Sequence, residues 1–256
     1  MDESVLLTGA SGRVGTAIRE GIGADYDFRL FDREPPTEAV DHPFFVGDIT
    51  EREALLEAMD GVGVVVHLAG DPRTDAPWES VLRNNIDGTR AVYEAAVETE
   101  VEKVVFASSN HAVGHYETDR KPEIYRTEDD FRLDGTELPR PSNLYGVSKA
   151  SGEVIGRYYH DEYGISVLNV RIGNLTKDHP PRNYERGQAM WLSYRDCAHL
   201  FERAIQAEYD YEIVYGISDN DRKYYSLERA REVLGYEPQD NAGEYTLAGE
   251  PKEGGV

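Results

Sequence analysis

A chain of 256 residues with 39% hydrophobic content is long enough to bury one substantial core without metal or disulfide staples. Its single cysteine, Cys197, excludes an internal disulfide, and no Cys/His cluster supplies the ligands of a structural zinc site, so no metal is expected. The 49 acidic against 27 basic residues give a net charge of −22, which argues against nucleic acid and anionic membranes as partners.

The opening residues, MDESVLLTGA, lack a basic segment followed by an apolar one, and the longest apolar stretch, GVGVVVHLAG, is far too short to span a bilayer. A cytoplasmic protein is therefore expected. Apolar runs at SVLLTG (4–9), FRLF (28–31), FFVG (44–47), VGVVVHLAG (62–70) and KVVFASS (103–109) read as strands buried on both faces. Helical patterns lie between them at 12–23, 51–60 and 77–99. This alternation predicts an α/β fold, a doubly wound parallel sheet with right-handed crossovers. A polar loop, 110–142, precedes a helix starting near Ser142, and ISVLNVRIG follows as a strand. NLTKDHPPRNYERGQ, with two prolines and several charges, reads as a substrate loop. A helix (YRDCAHLFERAIQAE), a short strand (YEIVYG), a last helix (SLERAREVLGY) and an acidic tail from Asp240 complete the chain.

TGASGRVG, residues 8–15, follows the first strand and opens the first helix. Gly9, Gly12 and Gly15 permit a tight turn, close approach to a pyrophosphate and close helix packing, and Ser11, Arg13 and Val14 complete the loop. Asp32 ends the second strand, where a carboxylate suits both ribose hydroxyls of NAD, although Arg33 beside it is able to meet a 2′-phosphate. Asp48, with Ile49 after the third strand, suits the adenine edge or caps a helix. Leu68, Ala69 and Gly70 after the fourth strand are further cofactor candidates. Tyr145 and Lys149, four apart on a helix, share a face, so the ammonium is expected to favour the phenolate.

With the glycine turn, HLAG (67–70), ASSN (107–110) and YGVSK (145–149) in this order, the chain resembles the extended short-chain dehydrogenase/reductase family over residues 4–235. The resemblance implies a Rossmann-type sheet and NAD as cofactor. It divides the chain into an NAD-binding part with the catalytic helix (1–170) and a small substrate-binding part, not folding independently (171–256). By the same resemblance Tyr145 is the general base, Lys149 holds the nicotinamide ribose, and Ser109 bonds the reacting hydroxyl. Asn110 stands where many members carry that hydroxyl, so Ser109 and Asn110 compete for the role. Asn85 would hold a water that returns the proton, or make a structural backbone bond. The helices at 77–99 and 143–163 pair into dimers in this family, which leaves room for a homo-oligomer.

SSNHAVGHY, RIGN and MWLSYRD are similar to stretches of uronate dehydrogenases, which oxidise C1 of a pyranose uronic acid. That likeness puts Asn110, His111 and Asn174 on the sugar and Arg186 on the anion at C6; His111 bonded to backbone in a loop is the plainer reading. Longer stretches, among them VLRNNIDGT and YEIVYGISDNDRKYYS, resemble the haloarchaeal branch that oxidises glucose 6-phosphate with NAD, a likeness that fits the acidic surface. A phosphate rewards several donors, and Arg73, Lys177, Arg182 and Arg186 are available, unless they merely counter the acidic surface. The expected substrate is thus a sugar phosphate oxidised at C1. A uronate dehydrogenase, a nucleotide-sugar epimerase and a redox-silent NAD-binding regulator are the alternatives.

Overall fold

Hydrophobic runs without alternation become strands whose two faces are both covered, and the computed structural model, which describes residues 4–181 and 184–245, is organised around them. In chain order the first half comprises β1 (Val5–Thr8), α1 (Arg13–Ile22), β2 (Phe28–Asp32), β3 (Phe44–Val46), α2 (Arg52–Met59), β4 (Val64–His67), α3 (Trp78–Val81), α4 (Gly88–Glu98) and β5 (Lys103–Ser109). The second half adds α5 (Gly114–Arg120), α6 (Leu144–Tyr163), β6 (Ser166–Ile172), β7 (Asn174–Thr176), α7 (Glu185–Ala189), β8 (Trp191–Ser193), α8 (Tyr194–Gln206), β9 (Tyr211–Gly216) and α9 (Glu228–Leu234). No helix among the described residues is long and apolar enough to cross a membrane.

Seven strands form one all-parallel sheet in the order β3-β2-β1-β4-β5-β6-β9, and β7 and β8 pair separately. Successive residues serve opposite cores: Val5 and Leu7 join one hydrophobic cluster with Ile18 of α1 and Phe201 of α8, while Leu6 joins the other with Leu55 of α2 and Val92 of α4. The winding reverses between β1 and β4, and the crevice at that switch opens at the carboxyl ends of the strands.

Three expectations are revised. The helix expected over 77–99 is interrupted by a π-helical turn, Leu82–Asp87, which shifts the hydrogen-bond ladder without disturbing the apolar spacing that suggested one helix. The polar stretch 110–142 contains α5 and two 3₁₀ turns, Asn110–Val113 and Glu123–Tyr125. The loop expected over 174–188 holds β7 and α7. The division at residue 170 falls inside β6, and β9 pairs with that strand, so residues on both sides of 170 build one sheet.

A buried ion pair ties α6 to the sheet. Arg171 of β6 is wholly buried and binds Glu153 of α6 through both Nε and Nη2, each at 2.9 Å. Its Nη1 reaches the Tyr215 hydroxyl at 3.1 Å, and Ser108 of β5 donates to Glu153 Oε1 at 2.6 Å. The same Nη1 lies 3.3 Å from Glu137 Oε2, so removing Glu153 leaves the guanidinium only that one-point carboxylate contact, and Glu153→Ala should lower the unfolding free energy by about 3 kcal/mol. Denaturant unfolding in molar KCl checks this, and Glu153→Met combined with Arg171→Met and Glu137→Gln, which removes every charge of the cluster, should recover most of the loss.

Candidate active site

Each parallel strand delivers its last residue to the same edge, which is why residues scattered through the sequence meet in one cleft of about 820 Å³. Gly9, Gly12, Arg13, Val14 and Gly15 line one end, together with Asp32, Asp48, Ile49, Leu68, Ala69 and Gly70. Arg73, Ser109, Asn110, His111, Tyr145, Lys149, Asn174 and Arg186 line the other parts.

At the turn after β1, Gly9 has φ +72°, and a Cβ there would lie 2.6 Å from the Ala69 nitrogen of the β4 turn. Glycine is thus required where the two turns meet at the switch point. Asp32 is pinned with one carboxylate oxygen on the Ser11 N–H at 3.0 Å and the other on the Arg33 N–H at 2.7 Å. The Ser11 side chain itself bonds the Glu34 carbonyl at 2.7 Å and faces a neighbouring groove instead of the main cleft. Asp48 does not cap α2, whose N-cap is Glu51; it closes the turn ahead of that helix, accepting from the Thr50 N–H and hydroxyl, and meets Arg83 at 3.2 Å. Burial would raise its carboxyl, but the Thr50 bonds and Arg83 hold it below the usual range. A backbone cradle closed to side chains, next to a fixed carboxylate at the end of β2, fits a dinucleotide.

Asn143 caps α6 through its side chain and so sets the start of the helix that carries Tyr145 and Lys149. Gly146 lets this end approach the 110–113 turn, since a Cβ there would lie 2.2 Å from the His111 carbonyl oxygen. Lys149 is buried and donates to the Ala107 carbonyl at 2.7 Å, with its Nζ 5.6 Å from the centre of the Tyr145 ring. Burial alone pulls its ammonium down to about 8. Tyr145 departs from expectation. Burial pushes the phenol above its ordinary value, and the Ser109 hydroxyl and the Arg13 charge only partly oppose this. Burial thus outweighs the lowering expected from the Tyr/Lys spacing, while the Lys149 ammonium donates to the Ala107 carbonyl.

Ser109 ends β5, donating to Asn110 Oδ1 at 3.1 Å and accepting from the His111 N–H at 3.2 Å. Asn110 is buried, with its amide nitrogen 3.4 Å from the Met190 sulfur. Asn85 lies behind the cleft: its amide is spent on the Asp71 N–H at 2.6 Å, the Asp71 carbonyl at 3.0 Å and the Ser148 hydroxyl at 2.9 Å. The backbone-bond reading of Asn85 is thus the one its contacts match.

The expected basic cluster does not converge. Arg186 lines the cleft with its Nε on the buried Glu117, at 2.5 Å. Arg73 lines it too, but forks onto Asp71 at 2.6 and 2.9 Å. Lys177 faces the neighbouring groove and pairs with Glu20 at 2.8 Å, while Arg182 lies outside the described residues. Sequence reasoning did not anticipate Glu117, Asp71, Asn143 or the cleft-lining Tyr184 and Met190. Two of these are acids that hold expected cations, and no local pattern pairs Glu117 with a residue 69 positions away.

Residues 5–212 match the NAD dependent epimerase/dehydratase family. The chain belongs to that family. It is 67% identical over 258 residues to the NAD-dependent glucose-6-phosphate dehydrogenase of Haloferax volcanii, covering 98% of each chain. It is 34% identical to a uronate dehydrogenase of Pseudomonas putida, over 95% of this chain and 87% of that one. The crystal structure of an Agrobacterium tumefaciens uronate dehydrogenase variant complexed with NAD superposes with a TM-score of 0.84 at 31% identity, covering 98% of this chain and 92% of that one. The resemblance to the extended short-chain dehydrogenases and the Rossmann-type sheet both hold.

The buried Lys149 ammonium has a stability consequence. Its folded pKa of about 8 lies below the unfolded value, so between these pH values the unfolded chain binds more protons and stability rises with pH. Lys149→Met should therefore be more stable than the parent at neutral pH, by up to about 3 kcal/mol, with the gap closing from pH 8 to about 10.5. Parallel denaturant titrations of the two proteins across that range measure it.

Proposed function

We propose that this protein oxidises glucose 6-phosphate at C1 to 6-phosphogluconolactone, with NAD as oxidant. The observation that carries this reading is the meeting of Tyr145, Ser109 and Arg186 in one cleft of a chain 67% identical to an NAD-dependent glucose-6-phosphate dehydrogenase.

NAD supplies the acceptor for the hydride leaving C1 and a cationic ring. The glycine turn of residues 9–15 would hold its pyrophosphate, and Asp32 its ribose. Tyr145, in its phenolate form, would take the proton of the C1 hydroxyl and become the phenol, and Ser109, already oriented by Asn110 and the His111 N–H, would bond the same oxygen. Lys149 remains charged below about pH 8 and supplies positive potential near the phenol. Arg186 would meet the anion on C6: Glu117 occupies its Nε, which leaves the two terminal nitrogens for a bidentate contact. Asn174 and His111 stand along the same wall for the sugar hydroxyls. A homo-oligomer would use α6, whose Val154, Tyr158 and Tyr163 are exposed.

One observation favours a uronate as second reading. With Lys177 on Glu20 and Arg73 on Asp71, Arg186 is, of the expected anion ligands among the described residues, the one whose terminal nitrogens meet no carboxylate, and one arginine suffices for a carboxylate. NADH formation from glucose 6-phosphate and from glucuronate in molar KCl separates the two. Turnover of the phosphate alone is expected, and the reverse preference overturns the proposal. Tyr145→Phe should lower kcat by about 10³-fold with the fold intact. Unchanged turnover would remove the general base from the scheme. Arg186→Ala should raise KM for the sugar phosphate by about 10²-fold while leaving kcat within a few-fold, the signature of a lost charge-assisted contact away from the reacting carbon.

A further inference from the structure

Asn143 makes two contacts with one amide. Its Oδ1 accepts the Gly146 N–H at 2.8 Å, as a helix cap must. That bond orients the amide, because an N–H is met by oxygen and not by another donor. The Nδ2 end is thereby turned to His111 Nδ1, 3.0 Å away. An amide nitrogen can only donate, so Nδ1 of His111 accepts, and the proton of the neutral ring lies on Nε2.

His111 lines the cleft with Ser109, Tyr145 and Arg186, and among the described residues its Nε2 has no hydrogen-bond partner. The charged and titratable groups facing it come from three helices. Arg186 of α7 and Glu117 of α5 act on it through charge, and the Tyr145 ring of α6 stands edge-on at 5.8 Å. Burial first, then Arg186, push the imidazole below its ordinary value against the pull of Glu117, which favours the neutral ring.

We propose that Asn143 is a positioning residue: by capping the catalytic helix and donating to Nδ1, it holds neutral His111 with its Nε2–H offered to an oxygen of the sugar. This rests on the sugar reading given above for the cleft. One side chain then sets both the start of the helix carrying Tyr145 and the donor that places the substrate against it. The Asn143–His111 contact fixes a tautomer, and the tautomer decides whether the wall of the cleft donates or accepts.

Asn143→Asp keeps an oxygen for the cap but turns the other contact into an acceptor. The carboxylate raises the His111 pKa, and above that value the ring proton sits on Nδ1, leaving Nε2 without a hydrogen. Nitrogen-15 spectra of histidine-labelled protein, with His111→Gln assigning the resonance, read this directly without substrate or cofactor. At neutral and alkaline pH the parent should show the Nε2–H form, and the Asp variant should pass from the doubly protonated to the Nδ1–H form as pH rises. KM for the sugar phosphate in the Asp variant should then climb about tenfold as pH rises through the His111 transition, with a flat ratio in the parent. Binding of NAD, followed by fluorescence, should not move. Asn143→Ser, which caps without reaching His111, should give mixed tautomers and an intermediate KM, and it decides the case if the Asp variant does not fold. An Nδ1–H ring in the parent, an Nε2–H ring in either variant, or an unchanged KM profile overturns the proposal. Because the tautomer is measured on the free protein, a parent that fails to turn over glucose 6-phosphate would sink the functional reading while the spectra still judged Asn143.

Discussion

Arg171 and Glu153 meet where no water reaches, one from the middle of the sheet and the other from the helix that bears Tyr145 and Lys149. Two parallel contacts fix both the distance and the rotation of α6 against β6, something apolar packing of that helix would leave less defined. Ser108, bonded to the same carboxylate, brings the end of β5 into the arrangement, and Ser109 is its neighbour in the chain. The reactive hydroxyls of two elements are thereby referred to one buried charge pair. Such a pair contributes little net stability once both ions are desolvated, so positional definition is its more valuable product.

The acidity of the chain shapes the cleft as much as the surface. Arg73, Lys177 and Arg186 are each held by a carboxylate, respectively Asp71, Glu20 and Glu117, so the cations that sequence would count as ligands are largely neutralised where they stand. What distinguishes Arg186 is geometry. Its partner is buried, is itself bonded by the Tyr125 hydroxyl, and engages only the Nε edge of the guanidinium. Charge pairing of this kind fixes the direction of an arginine without consuming the face that recognises an anion.

The sheet was legible in the sequence because parallel strands covered on both sides leave unbroken apolar runs, and VVVH and KVVFASS could hardly be anything else. The glycine turn, Asp32 and the Tyr145/Lys149 pair were legible because their spacing is local. α5 was not, because GHYETDR has neither apolar periodicity nor a capping signal, and its helix is held by packing against the turn at Asn110–Val113. The π-helical turn was hidden for the opposite reason: adding one residue to a helical turn leaves its composition unchanged. Lys177 and Arg186 are close along the chain, yet Lys177 follows the end of β7 and Arg186 sits on α7, and the two line different grooves. The buried acids that orient the arginines lie far away in sequence, and no period or motif joins such partners.

Beneath the cleft two basic side chains share a small volume, and only one of them is charged. His67 is enclosed, bonded to the Thr8 hydroxyl at 2.8 Å and the Thr89 hydroxyl at 3.1 Å, and burial together with the Lys149 charge drives its imidazole down to about 3. A second cation at that depth would repel the first and draw Lys149 further towards its neutral form. Two threonine hydroxyls, which can either donate or accept, satisfy the ring without asking it to ionise. The floor of the site therefore presents a single ammonium, anchored on the Ala107 carbonyl and adjacent to Tyr145. The neutrality of His67 spares that ammonium a like charge, so burial is the one influence that pulls Lys149 down.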